Sequence, residues 1–240
     1  MVWAIDFCGV TARATMAVVM HMRFEDRRAA GQMLAAEVSK LRLHRPLILG
    51  LPRGGIPVAY EVAAALHAPL DALIVRKLGV PSQPELAMGA IGEDKIRVLN
   101  AAVVNSVGLS AADVESVEDF ERGELERRTR QIRAMVSKFP LVGREVVVVD
   151  DGVATGATAR AACLVARAEG AIRVTIAVPV APKGWQKEFS EVSTHQVALQ
   201  TPRHFQAVGH WYERFSATSD TEMLDLLTQA REGGRSDGEA

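Results

Sequence analysis

Apolar residues along this chain fall into two alternating rhythms. Unbroken runs such as "PLILGL" (46–51) and "VVVV" (146–149) have the length and composition of strands buried on both faces. Between them lie longer stretches with helical spacing. "FEDRRAAGQMLAAEVSKL" carries Phe24, Met33, Leu34, Val38 and Leu41 close to one face, with Arg and Glu on the other. "IPVAYEVAAALHA" is a helix with apolar residues on more than one side, and "PLDALIVRKLG" reads as the next strand. A segment punctuated by Pro and Gly follows, with strand-like pieces at 87–91 and 96–99. Ser110 then caps a long charged helix over 111–137, with Val114, Val117, Leu125, Ile132 and Met135 on one side. After "VVVV" come a helix ended by Gly170, the strand "IRVTIAVPVAP", a further strand in "HQVALQTP" and a final helix capped by Ser219 or Asp220. Strands that alternate with helices predict an α/β fold with a parallel sheet covered by helices. No internal repeat or linker divides the chain.

Composition narrows the classes. The 240 residues are 48% hydrophobic and 24% charged, enough to build a core. A net charge of −1 gives no broad attraction for a nucleic-acid backbone, although a local basic pocket for a small anion is compatible with it. The two cysteines, Cys8 and Cys163, form no CxxC pair and read as reduced thiols of a cytoplasmic protein. The six histidines show no HExxH spacing. No run approaches the roughly 20 apolar residues that cross a bilayer, so neither nucleic acid nor membrane is an expected partner. Residues 1–21 lack the basic start and long apolar core of a signal peptide and read as an appended arm. The main domain is expected over 22–230, with a disordered polar tail over 231–240.

Chemistry concentrates in "VVVVDDGVATGAT" (146–158). A buried strand delivers Asp150 and Asp151 to its carboxyl end, where open α/β sheets bind ligands. Two adjacent carboxylates there need partners, which sugar hydroxyls or a hydrated cation would supply. The turn that follows opens a helix. Gly156 permits a positive φ, and bare N–H groups at the helix start favour an anion. Thr155 and Thr158 add hydroxyl donors beside Ala154 and Ala157. A diol-binding acidic pair beside a monophosphate cup suits a sugar 5-phosphate. Ala157 stands where a Walker A loop needs Lys, and the GxGxxG pattern is absent.

The stretch resembles the phosphoribosyl pyrophosphate signature of type I phosphoribosyltransferases, and the likeness runs from about Phe24 to Ala230. It is greatest to a bacterial subgroup of unassigned acceptor that shares "LPRGG.PVA", "RKLG.P..PELA.GAI" and "VDDG.ATGAT". The resemblance implies a Rossmann-like parallel core with a small hood. It implies transfer of a 5-phosphoribosyl group to a nitrogen acceptor, a nucleobase, with release of pyrophosphate and help from Mg²⁺. In that scheme Asp150 and Asp151 hold the ribose hydroxyls and, through water, the metal. Residues 154–158 cradle the 5-phosphate. Arg53, Gly54 and Gly55 of "PRGG" form the pyrophosphate loop, where a strained or cis peptide is common, with glycines that permit close approach or unusual φ. Arg76 and Lys77 help to hold the pyrophosphate, and "LGVPSQPEL" corresponds to the catalytic loop. The acceptor pocket would lie in a hood drawn from "VPVAPKGW" and "FQAVGHWYERF", with Trp185, Trp211 or Tyr212 as stacking surfaces; a plain aromatic core is the alternative. Ala154 replaces the acidic residue of hypoxanthine–guanine enzymes, which puts a 6-oxopurine acceptor in doubt. The rival function is a non-catalytic regulator that binds phosphoribosyl pyrophosphate. A hydrolase on the same site lacks a nucleophile elbow or triad spacing. Assembly into a homodimer is left open.

Overall fold

The computed structural model describes residues 23–233; the proposed arm and most of the polar tail lie outside them. In chain order the elements are α1 (Arg27–Ser39), β1 (Leu47–Gly50), α2 (Gly55–Ala65), β2 (Leu70–Ala72), β3 (Val75–Val80), β4 (Gln83–Gly92) and β5 (Arg97–Leu99). Then come α3 (Ala101–Ser106), α4 (Ala111–Arg133), β6 (Glu145–Val149), α5 (Ala157–Ala168), β7 (Arg173–Val180), α6 (Gln186–Phe189), β8 (His195–Gln200) and α7 (Asp220–Gly233). The last helix thus continues through Arg231–Gly233, residues expected to belong to the tail.

Five strands form a parallel sheet in the order β2-β1-β6-β7-β8. Alternate residues of each central strand enter different cores. Ile48, Val147 and Val149 pack with α1, α2, α4 and α7, whereas Leu47, Leu49, Val146 and Val148 pack with α5. Both faces are covered, which is why the valine run shows no polar alternation. Each fully buried valine contributes roughly 1.5–3 kcal/mol relative to exposure. The order of winding reverses between β1 and β6, which run parallel: β1 is followed by β2 on one side, and β6 by β7 on the other. The crevice at such a switch point is the ligand site of open α/β sheets.

Several expectations are corrected. "PLDALIVRKLG" is two strands, because the chain leaves the buried sheet after Ala72 and starts a separate antiparallel sheet, β3-β4-β5. Arg76 and Lys77 could not enter a sheet covered on both faces; in β3 they reach the carboxylates of Glu121 and Glu85. The hood is therefore this small sheet, while "VPV" belongs to the central strand β7. The loop expected in "LGVPSQPEL" is the turn of a hairpin, with Val80 opposite Gln83.

Ser110 caps α4 in a reciprocal capping box with Asp113, as its position suggested. Met135 is 60% exposed, because the helix ends before it. Met33 is also exposed: α1 buries a stripe of small residues, Ala30, Gly31 and Ala35, together with Leu34 and Val38. A Cβ on Gly31 would lie 2.7 Å from the Val58 carbonyl oxygen, so that stripe sets how closely α1 approaches α2.

Candidate active site

Two loops leave the sheet side by side at the switch point, since Gly50 at the end of β1 pairs with Val149 at the end of β6. One is "PRGG", the other "DDGVATGAT". The Leu51 N–H donates to the Val149 carbonyl at 2.9 Å and holds them together. A Cβ on Gly55 would sit 2.6 Å from that same carbonyl oxygen, and one on Gly54 only 2.2 Å from Asp151 Oδ2. Gly54 has φ −63°, so its need for glycine is the close approach to Asp151 and not an unusual φ. The Pro52–Arg53 peptide is cis.

The acidic pair is built into the protein more deeply than a sheet edge implies. Asp150 accepts a hydrogen bond from the Asp151 N–H at 2.9 Å. Desolvation, aided by the neighbouring Asp151 charge, holds Asp150 well above the usual carboxylate range. Burial also raises Asp151, against the opposing pull of Arg27. Arg27, the first residue of α1, donates through Nε to Asp151 Oδ2 at 2.8 Å and through Nη1 to the Ser216 carbonyl at 2.6 Å. Its guanidinium also lies 4.0 Å from the centre of the Phe215 ring. Sequence reasoning missed this residue. Its only local signal was its place in "FEDRRAAG", where it reads as one of several solvated charges.

Gly156 adopts φ 74° and precedes α5, as the small-residue turn required. Thr158 is exposed in the first turn of that helix, beside exposed Ala154 and Thr155 and half-buried Ala157. The Thr155 hydroxyl donates to Glu85 Oε2 at 3.1 Å, and Lys77 reaches Glu85 Oε1 at the same distance. The hairpin of the small sheet is thereby tied to the turn before α5. Arg76 is held by Glu121 at 2.6 Å, and Arg53 lies 3.6 Å from Asp220 at the start of α7.

The aromatic candidates separate. Trp185 is 3% exposed and packs edge-on against Phe189 in the core, 5.1 Å between ring centres. It presents no face to a ligand, which corrects its place among the stacking residues. Tyr212, also 3% exposed, lies between Phe24 and Phe215. Its hydroxyl donates to the Asp151 carbonyl at 2.6 Å, so it is a strut beneath the acidic pair. Trp211 is partly exposed and packs against the small cluster of Phe24, Ala30, Val180 and Tyr212.

The donor set suits a hard cation held mostly by others. Among the described residues no three His, Cys, Asp or Glu side chains converge on one point. Two adjacent carboxylates are present, and Mg²⁺ characteristically keeps several waters and takes one or two carboxylates together with substrate phosphates. Cys163 is buried in the core, and its thiol is pushed up to about 12 by desolvation, which leaves it unreactive.

The family profile of the phosphoribosyl transferase domain matches residues 24–205. Two Mycobacterium tuberculosis proteins, from strains CDC 1551 and H37Rv and each provisionally named phosphoribosyl transferase, are 52% identical over 207 residues. That alignment covers 86% of this chain and 47% of each relative, so the chain spans about half their length. The crystal structure of TT1426 from Thermus thermophilus is similar at 41% identity and a TM-score of 0.82, covering 87% of this chain and 99% of that one.

Proposed function

The chain belongs to the phosphoribosyl transferase domain family, and from that premise we propose that it moves a 5-phosphoribosyl group from phosphoribosyl pyrophosphate to a nitrogen acceptor, a nucleobase, and releases pyrophosphate. One observation carries the reading. The pairing of Gly50 with Val149 sets a cationic Gly-rich turn and a helix-start anion cup on the two sides of one acidic pair. A ribose bearing an anion at each end has that layout.

In this reading the α5 N–H groups, with the hydroxyls of Thr155 and Thr158, take the 5-phosphate. Asp150 and Asp151 accept from the ribose hydroxyls and favour positive charge on the sugar as the bond from C1 to pyrophosphate breaks. Arg53 and the backbone of Gly54 and Gly55 steady the departing group, with Arg76 and Lys77 close to it. When bound, Mg²⁺ neutralises charge on the pyrophosphate, and Asp150 and Asp151 would hold it through water. The carboxyl of Asp150 must be ionised for this work, against the burial that raises its pKa. Tyr212 holds the Asp151 backbone carbonyl and Arg27 its carboxylate, so the protein itself orients the second aspartate. Action inside the cytoplasm fits this reading.

The test is an acceptor screen. Purified protein, Mg²⁺ and phosphoribosyl pyrophosphate are mixed with each nucleobase or small amine, and pyrophosphate release is followed. Release with one acceptor, abolished in the Asp150→Asn, Asp151→Asn double variant while its melting transition persists, is the expected result. Binding without release for every acceptor would leave a non-catalytic binder.

A further inference from the structure

A cavity of about 960 Å³ opens at the other end of the parallel sheet from the two loops. Pro46 and Pro69 precede β1 and β2 in its wall, and Arg144 precedes β6, so it lies at the amino ends of these strands. The last turn of α2 and the end of α7 complete it. Its charge is one-sided. Arg45, Arg144, Arg231 and His67 line it, and among the described residues no Asp or Glu does, in a chain whose net charge is −1. Arg45 and Arg144 form no ion pair among the described residues. Arg231 is held in place: it donates to the Ser137 carbonyl, lies 3.8 Å from the Asp71 carboxylate and sits 3.6 Å from the centre of the Phe139 ring. Arg144 lies 5.9 Å from the same ring. The end of α2 does not answer these cations, because the carbonyls of Ala63 and Ala64 accept from the N–H groups of Ala68 and His67. Backbone conformation adds a second observation. Arg45 has φ 46° and His67 φ 48°, a region where residues other than glycine are uncommon. Glycine would make either turn freely; the chain instead places a nitrogen-bearing side chain at each.

We propose that this cavity is a second ligand site and that it takes a nucleotide. Arg45, Arg144 and Arg231 meet the phosphate, and the base lies on the wall of Tyr60, Leu66 and Phe139. Guanidinium groups gathered in a partly enclosed space repel one another, and a phosphate among them removes that cost and accepts their hydrogen bonds. A bare phosphate would leave the aromatic and aliphatic wall wet. The volume is that of a small-molecule pocket, roughly 300–1,000 Å³, and flat rings suit both aromatic side chains and guanidinium planes. The site stands apart from the crevice at the carboxyl ends of the strands, so it holds whether or not that crevice takes phosphoribosyl pyrophosphate.

The probe is AMP, with 8-azido-AMP to report location. Light attaches the azide to nearby side chains, and peptide mapping reads where. The parent chain should be labelled within 60–70 or 139–144, and excess AMP should suppress the label. The double variant Arg45→Ser, Arg144→Gln removes two cations that hold no ion pair among the described residues. Its melting transition should persist while AMP affinity at this site falls at least about tenfold. Ala64→Trp fills the cavity from α2 and keeps every charge; it should lose the label as well, and it decides the matter if the arginine variant melts early. Adenosine and inorganic phosphate should each compete at least about tenfold less well than AMP. AMP also carries a sugar 5-phosphate suited to the crevice, so Thr158→Val separates the two sites: it should reduce label within 150–158 and spare the cavity. Label confined to the crevice, label unchanged in Ala64→Trp, or inorganic phosphate competing as well as AMP overturns the proposal. Label at the cavity with none in the crevice upholds it and counts against the reading of the crevice instead.

Discussion

Asp150 shows how a residue can be legible in type and hidden in state. The sequence places a carboxylate at the end of β6, and the structure puts it there. Its desolvation could not be read from the chain, because the neighbours that cause it come from elsewhere. Its raised pKa has a stability consequence with a definite sign. The folded protein keeps the proton at a pH where the unfolded chain has lost it. Stability is therefore highest below the unfolded carboxylate pKa, falls as pH rises toward the folded pKa, and stays reduced above it. Asp150→Asn removes this penalty. It should melt higher than the parent at pH 7, with the difference closing as pH falls below about 4. Equal melting temperatures across that range would show that the carboxyl is solvated. Arg27 was invisible for a related reason: 124 residues separate it from Asp151, and no local pattern marks one arginine of "DRR" as a partner.

At the scale of elements, runs with strong periodicity were legible: β1, β6, β7, α2, α4 and α5 lie where their patterns put them. The strand-like pieces at 87–91 and 96–99 are there as β4 and β5, but their gathering with β3 into a separate sheet was not legible. Its strands mix charged and apolar residues, and β3 follows β2 with only Leu73 and Ile74 between. Where one sheet ends and another begins is decided by which face each strand covers. Gly54 was legible as indispensable but for a reason the structure changes. Its missing Cβ makes room for Asp151, so Gly54→Ala would disturb both the turn and the acidic pair. Arg53 is the cleaner probe. The β3–β4 hairpin carries its own prediction. Glu85 holds Thr155 and Lys77, and its carboxylate is drawn below the usual range by Lys77 and then Thr155. In the proposed site that carboxylate lies where it repels the 5-phosphate. Glu85→Gln should tighten ribose 5-phosphate binding modestly, as read by calorimetry. Weaker ribose 5-phosphate binding would show that Glu85 instead organises the cup.

At the scale of the whole molecule, the two sheets are joined by one buried ion network. Arg133, at the end of α4, binds Asp71 of β2 at 2.7 Å and Glu93, just after β4, at 2.7 Å. Replacement by Met leaves buried Glu93 without this ion pair and Asp71 with only the longer pair to Arg231 at 3.8 Å. Removal of one partner from such a network costs on the order of 3–5 kcal/mol. Arg133→Met should lower the denaturant midpoint accordingly; a loss under about 1 kcal/mol would mean that the small sheet docks by apolar contact alone. The parallel architecture was legible from the alternation of strands and helices, whereas the strand order, and with it the switch point, was not: β6 could have been laid beside β2 as readily as beside β1. That order places the two loops together, so the central claim is spatial, with one crevice and an anion pocket at each end. Calorimetry on Arg53→Ala and Thr158→Val tests it most directly. Arg53→Ala should weaken pyrophosphate and spare ribose 5-phosphate. Thr158→Val should weaken ribose 5-phosphate by about 1.5–3 kcal/mol, the worth of a hydrogen bond to a charged group, and spare pyrophosphate. Equal losses for both ligands in either variant, or no loss in both, would contradict the two-ended site.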